Sequence, residues 1–192
     1  MLGIDIYEGG SQAAQIIFTG LGGETKGYQN KYQAISMNAV ENHGATAFVV
    51  GTPKDVWKPG NPHRFIQESM QYVDNYMKVI GHNEYDVRAG GHSAGGTILA
   101  WYAHEYPAIT KVVTVNSVLG INLHWMKAGL TNFAGESIKT IFGEFDQSAI
   151  FAPLLDDVDN ERYERKMIPG ANHGFDGMLS EFVSLFDQHL WG

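Results

Sequence analysis

The chain contains no cysteine, which removes disulfide frameworks, thiol nucleophiles and cysteine metal sites together. Basic residues are scarce: 13 Lys and Arg face 21 Asp and Glu, a formal charge of −8. A phosphate-backbone partner normally demands a basic face, so nucleic acid is not an expected ligand. The opening Met1-Leu2-Gly3-Ile4-Asp5-Ile6 has neither a basic segment nor a long apolar run, and nowhere do the roughly 18 consecutive apolar residues of a spanning helix occur. Stable membrane insertion is therefore not expected, and the sequence reads as a soluble, cytoplasmic protein. The six prolines are scattered, and neither a low-complexity tract nor a repeat at solenoid periods interrupts the chain. With 192 residues, 44% of them hydrophobic, residues 1–192 fit a single domain with a sizeable core.

What is present is an alternation of short apolar strands with helical patterns. Leu2 to Tyr7 alternates as an edge strand, Gln15 to Thr19 and Ala45 to Val50 are apolar strands, and Tyr28 to His43 reads as a helix stopped by Gly44. Beyond the Pro/Gly-rich loop from Thr52 to Pro62, apolar residues from Phe65 to Ile80 recur at helical spacing. Asp86 to Gly90, Lys111 to Val115, Ser137 to Phe142 and Glu161 to Ile168 read as further strands. Helices are expected over Ala94 to Tyr106, closed by Pro107, and at the C-terminus, with Asp176 as its N-cap. Such alternation implies a three-layer α/β sandwich around a mostly parallel, doubly wound sheet of six or seven strands.

Three loops carry the chemistry. Gly91-His92-Ser93-Ala94-Gly95-Gly96 lies where a strand should end and a helix begin, so Ser93 stands at a strained, exposed turn. Gly143-Glu144-Phe145-Asp146 follows the run from Ile138 to Phe142, and Pro169-Gly170-Ala171-Asn172-His173-Gly174-Phe175 follows the last strand. Asp156, Asp157 and Asp159 read as a solvated face and Asp176 as a helix cap, whereas Asp146 lies in a loop just beyond a strand. His92 reads as a packing or supporting residue, because it points away from its neighbour Ser93. None of the eight histidines forms His-Glu-x-x-His or another spacing with two ligands on one face, so no catalytic metal is expected.

Serine, acid and histidine in this chain order, each after a strand, make the sequence similar to the α/β-hydrolase family. The resemblance runs from the strand around Ile16 to the final helix. It implies a serine hydrolase with Ser93 as nucleophile, Asp146 as acid and His173 as base, and needs no dissociable cofactor. Gln15-Ile16-Ile17-Phe18-Thr19-Gly20-Leu21-Gly22-Gly23 resembles the family's His-Gly-x-x-Gly loop, with Thr19 in place of the usual histidine. The backbone N–H groups of Leu21 and Ala94 are then the implied oxyanion donors.

The resemblance further implies an ester or thioester substrate, and the absence of a large cap points to a small to medium acyl group. The same triad also serves acyltransferases, perhydrolases and lyases, and the scaffold also supports noncatalytic binding proteins. A nucleotide site at Gly20-Leu21-Gly22 fails, because the third glycine of Gly-x-Gly-x-x-Gly would fall at Thr25. The interval from Asn116 to Ser137 is too short for a multi-helix cap, so the pocket should be open or lightly covered. Leu119, Trp125 and Met126 in that interval, and Trp57 in the Pro/Gly-rich loop, are either packing residues or the wall of an acyl pocket.

Overall fold

The computed structural model describes residues 2–192. The elements in chain order are β1 (Ile4–Tyr7), β2 (Ala13–Leu21), α1 (Lys31–His43), β3 (Thr46–Thr52), α2 (Asn61–Val79), β4 (Asp86–His92), α3 (Ala94–Tyr102), β5 (Ile109–Val115), α4 (Leu123–Asn132), β6 (Ser137–Gly143), β7 (Tyr163–Ile168) and α5 (Leu179–Leu190). They form one seven-stranded sheet in the order β1-β3-β2-β4-β5-β6-β7. Only β1 runs antiparallel, against β3, while the other neighbouring pairs are parallel.

The central strands are apolar on both faces, as a sheet covered by helices on both sides requires. Successive side chains alternate across β2: Ile16 and Phe18 join the layer under α2, α3 and α4, whereas Ile17 joins Val49, Val113 and Ile141 beneath α1 and α5. Gly90 sets the approach of α5. A Cβ there would lie 2.5 Å from the Phe186 ring and 2.7 Å from Ile17, and overpacking of this kind typically costs about 1–3 kcal/mol.

From β2 the chain crosses to β3 on one side and returns to β4 on the other. The loops leaving β2 and β4 therefore diverge from adjacent strand tips and open a crevice at the carboxyl edge. Ser93 follows β4, and Asp146 and His173 leave the same edge after β6 and β7.

Several boundaries differ from the sequence reading. Asp176 does not cap α5. That helix starts at Leu179 after Met178, and the Asp176 carboxylate instead accepts a hydrogen bond from Asn172 at 2.9 Å. Helix α3 ends at Tyr102 and gives way to a 3-10 turn over Ala103–Glu105 before Pro107. Helix α1 is preceded by a 3-10 turn over Tyr28–Asn30, because Gln29 and Asn30 both have positive φ. Helix α2 begins at Asn61, with Pro62 in its first turn where a missing N–H is harmless.

Candidate active site

The turn after β4 places Ser93 at φ 54° and ψ −119°, a conformation that costs a non-glycine residue about 1–3 kcal/mol and persists only where its surroundings dictate it. They do so here. The Ser93 N–H donates to the Val115 carbonyl at 2.8 Å, and the Ser93 carbonyl accepts from the N–H of Thr97 at 3.0 Å and from its hydroxyl at 3.0 Å. The flanking glycines are steric necessities. A Cβ on Gly91 would sit 2.6 Å from the Gly96 Cα, and one on Gly95 would sit 2.5 Å from the carbonyl oxygens of Phe18 and Thr19.

Ser93, His173 and Asp146 come together across this edge. Ser93 Oγ lies 3.0 Å from His173 Nε2, and His173 Nδ1 is hydrogen-bonded to Asp146 Oδ2. Asp146 is 4% exposed, and its other oxygen accepts from the Ser148 N–H at 2.7 Å. The carboxylate is thus oriented before it meets the imidazole. Asp157 instead pairs with Lys127 on the surface, and Asp156 with Arg165.

Three successive carbonyls of the histidine loop are each tied to a neighbouring side chain. Asn116, fully buried at the tip of β5 with φ 50°, donates to the Asn172 carbonyl at 3.0 Å and to that of His173 at 2.9 Å. Its side-chain oxygen accepts from the Gly143 N–H at 2.7 Å, which joins the acid loop to the histidine loop. Lys31 Nζ donates to the Gly174 carbonyl at 3.1 Å.

His92 supplies a further tie to the His173 carbonyl, at 2.8 Å from its Nε2. Its Nδ1 is 2.9 Å from the Tyr32 hydroxyl, and that hydroxyl accepts from the Gly20 N–H at 3.0 Å. A carbonyl can only accept, so Nε2 carries the proton, Nδ1 accepts, and Tyr32 donates to it. Burial holds His92 neutral by pushing its pKa down to about 3, and the nearby Lys31 cation acts in the same direction. Burial likewise raises Tyr32 to about 12. The chain Gly20, Tyr32, His92, His173 therefore keeps one polarity at neutral pH.

Gly20 and Leu21 border Ser93 and His173 in a cavity of about 520 Å³. The Gly20 N–H is occupied by Tyr32, and Leu21 ends β2 at the exposed lip of the cavity. Ala94 opens α3, where the first N–H groups have no intrahelical acceptor. Thr19, at the position of the family's histidine, is buried. Its hydroxyl accepts from the Thr52 N–H at 3.0 Å, and its carbonyl accepts from the Thr52 hydroxyl at 2.6 Å. A threonine thus pins the loop to β3.

Trp57, Leu119, Trp125 and Met126 do not border this cavity or the one on the other side of His173, which is formed by Val118, Asp146, Ser148 and Asn172 among others. Leu119 and Met126 are buried core residues, Met126 on α4 itself. Trp57 packs on Trp101 at 5.7 Å, and Trp125 packs edge-on to Trp101 at 5.4 Å beside a separate cavity of about 220 Å³. The packing alternative holds for this segment, because Gly129 lets α4 lie directly on the carbonyls of Ala100 and Trp101. Among the described residues, no group of three or more His, Cys, Asp or Glu side chains is placed to hold a metal ion.

The fold is that of the α/β hydrolases. An α/β serine hydrolase homologue from Coxiella burnetii superposes with a TM-score of 0.74 at 16% identity, covering 98% of this chain and 91% of that one. Est1E from Butyrivibrio proteoclasticus gives 0.73 at 13% identity, with 97% and 91% covered. A soluble variant of monoglyceride lipase from Saccharomyces cerevisiae gives 0.65 at 13% identity, with 100% and 92% covered. No family model matches the chain, and no curated protein matches it.

Proposed function

We propose that the protein is a serine hydrolase that cleaves an ester or thioester of a small to medium acyl group through an acyl-enzyme on Ser93. The observation that carries this reading is the hydrogen-bonded order Ser93 Oγ, His173 Nε2, His173 Nδ1, Asp146 Oδ2. As Ser93 Oγ attacks the acyl carbon, its proton passes to His173 Nε2, and Asp146 stabilises the imidazolium that forms. The same proton then goes to the departing alcohol or thiol, leaving the acyl group on Ser93. Water gives a proton to His173 and attacks the acyl carbon; the acid leaves and Ser93 recovers its proton. The N–H groups of Leu21 and Ala94 hold the oxyanion in both halves, and one such donor is typically worth about 3–4 kcal/mol.

The small interval between β5 and β6, spanned by α4 alone, supports an open pocket. Soluble esters of short and medium acyl chains should therefore be turned over without an oil-water interface. A panel of acyl lengths, each presented as ester and thioester, measures this. Activity that appears only above the solubility limit of a long-chain lipid would contradict the open pocket.

A further inference from the structure

The proton-transfer chain leaves one buried charge in the cavity unused. Lys31, at the start of α1, is only 6% exposed, yet it borders the same cavity as Ser93 and His173. Of its three ammonium hydrogens, one is directed at the Gly174 carbonyl. The Phe182 and Tyr32 rings lie 4.8 and 5.4 Å from Nζ, and aromatic faces attract a cation without neutralising it. Among the described residues, no carboxylate oxygen comes within 4.0 Å of Nζ. Asp176 acts on it only from farther away. Burying an ammonium this far without a paired anion is costly, and the cavity is where a counter-charge can enter.

The first two N–H groups of α1 are no rivals for that role. The N–H groups of Asn30, Lys31 and Tyr32 already donate to the carbonyls of Gly27, Tyr28 and Lys26. Glu24, on the same cavity, is exposed and therefore screened by solvent and salt. The side-chain ammonium is the group left to meet an anion.

We propose that Lys31 forms an anion subsite of the catalytic cavity, and that the preferred substrates are esters bearing a carboxylate or similar anionic substituent. The proposal rests on the hydrolase reading above and adds the charge of the substrate to it. Burial draws the pKa of Lys31 down to about 8, so the side chain remains largely protonated at neutral pH.

The test compares monomethyl glutarate, with its anion on the acyl side, and butyryl glycolate, with its anion on the alcohol side, against neutral methyl hexanoate. Product release is measured for the wild type, Lys31→Met and Lys31→Arg. The wild type should favour at least one anionic ester in kcat/KM. Lys31→Met should lower the anionic-to-neutral ratio at least tenfold, and Lys31→Arg should keep it above one; the arm affected tells which side of the ester faces the lysine. No charge preference in the wild type, or a parallel loss on all esters in Lys31→Met, would overturn the proposal and leave Lys31 as a tie to Gly174. If Lys31→Met does not fold, inhibition of wild-type methyl hexanoate turnover is measured instead: inhibition by glutarate but not by glutaramide supports the subsite, and equal effects of the two overturn it. Failure of the hydrolase reading looks different, since the wild type would then cleave none of the three esters and resist a fluorophosphonate.

Discussion

The Tyr32 hydroxyl lies 2.9 Å from Nδ1 of His92, and this bond is the middle link between Gly20, at the end of β2 beside Leu21, and the loop that carries His173. Removing the hydroxyl leaves the part-buried Gly20 N–H and the buried His92 nitrogen without this partner. Tyr32→Phe should therefore lose about 1–3 kcal/mol of stability in denaturant titrations. Because both loops are held through it, kcat should fall by about tenfold or more on a soluble ester. Lost stability with an unchanged kcat would reduce Tyr32 to a packing residue.

His92 makes a separate, pH-dependent prediction. In the unfolded chain its ring titrates near 6.5, and in the fold burial holds it near 3. Between those values the unfolded chain binds the extra proton, so this group removes stability as pH falls from about 6.5 toward 3 and has no effect above that window. His189, lowered to about 4 by burial, acts with the same sign, so the comparison needs a variant rather than the bare wild-type curve. The unfolding free energy of His92→Gln should change less steeply between pH 6.5 and 4, by up to about 1.4 kcal/mol per pH unit. Parallel curves would mean that His92 is not buried neutral.

Asp146 holds the far side of the imidazole. Asp146→Asn can donate where the carboxylate accepts and so favours the wrong tautomer, and turnover should drop on the order of 10⁴-fold in a folded protein. Asp157→Asn, which breaks only a surface pair with Lys127, and Asp176→Asn, which keeps an oxygen to accept from Asn172, should lose far less. Near wild-type turnover in Asp146→Asn would move the acid elsewhere.

Much of the frame is legible in the sequence because its signals are local. Apolar runs mark β2 to β6, Gly44 ends α1 in a left-handed conformation, and the glycines around Ser93 follow from close backbone contacts that any such turn makes. What escapes is whatever depends on two distant elements meeting. Lys31 and Tyr32 lie in an ordinary amphipathic helix, and nothing in their spacing says that α1 will deliver them to the histidine loop, 143 residues away in the case of Lys31 and Gly174. Asn116 leaves a faint trace, a polar residue ending an apolar strand. His92 is readable as a supporting residue, but its partners are not. The acyl wall expected from Trp57, Leu119, Trp125 and Met126 fails for a related reason: apolar side chains in a short interval pack into the core or against Trp101, and composition does not distinguish a core from a pocket lining.

The role of Ser93 is tested most directly by mass spectrometry after treatment with a fluorophosphonate. A hydroxyl activated by His173 should take up one phosphonyl group per chain, on Ser93, and Ser93→Ala should take up none while remaining folded. Modification at another residue, or no modification of the folded wild-type protein, would contradict the assignment of Ser93 as the nucleophile.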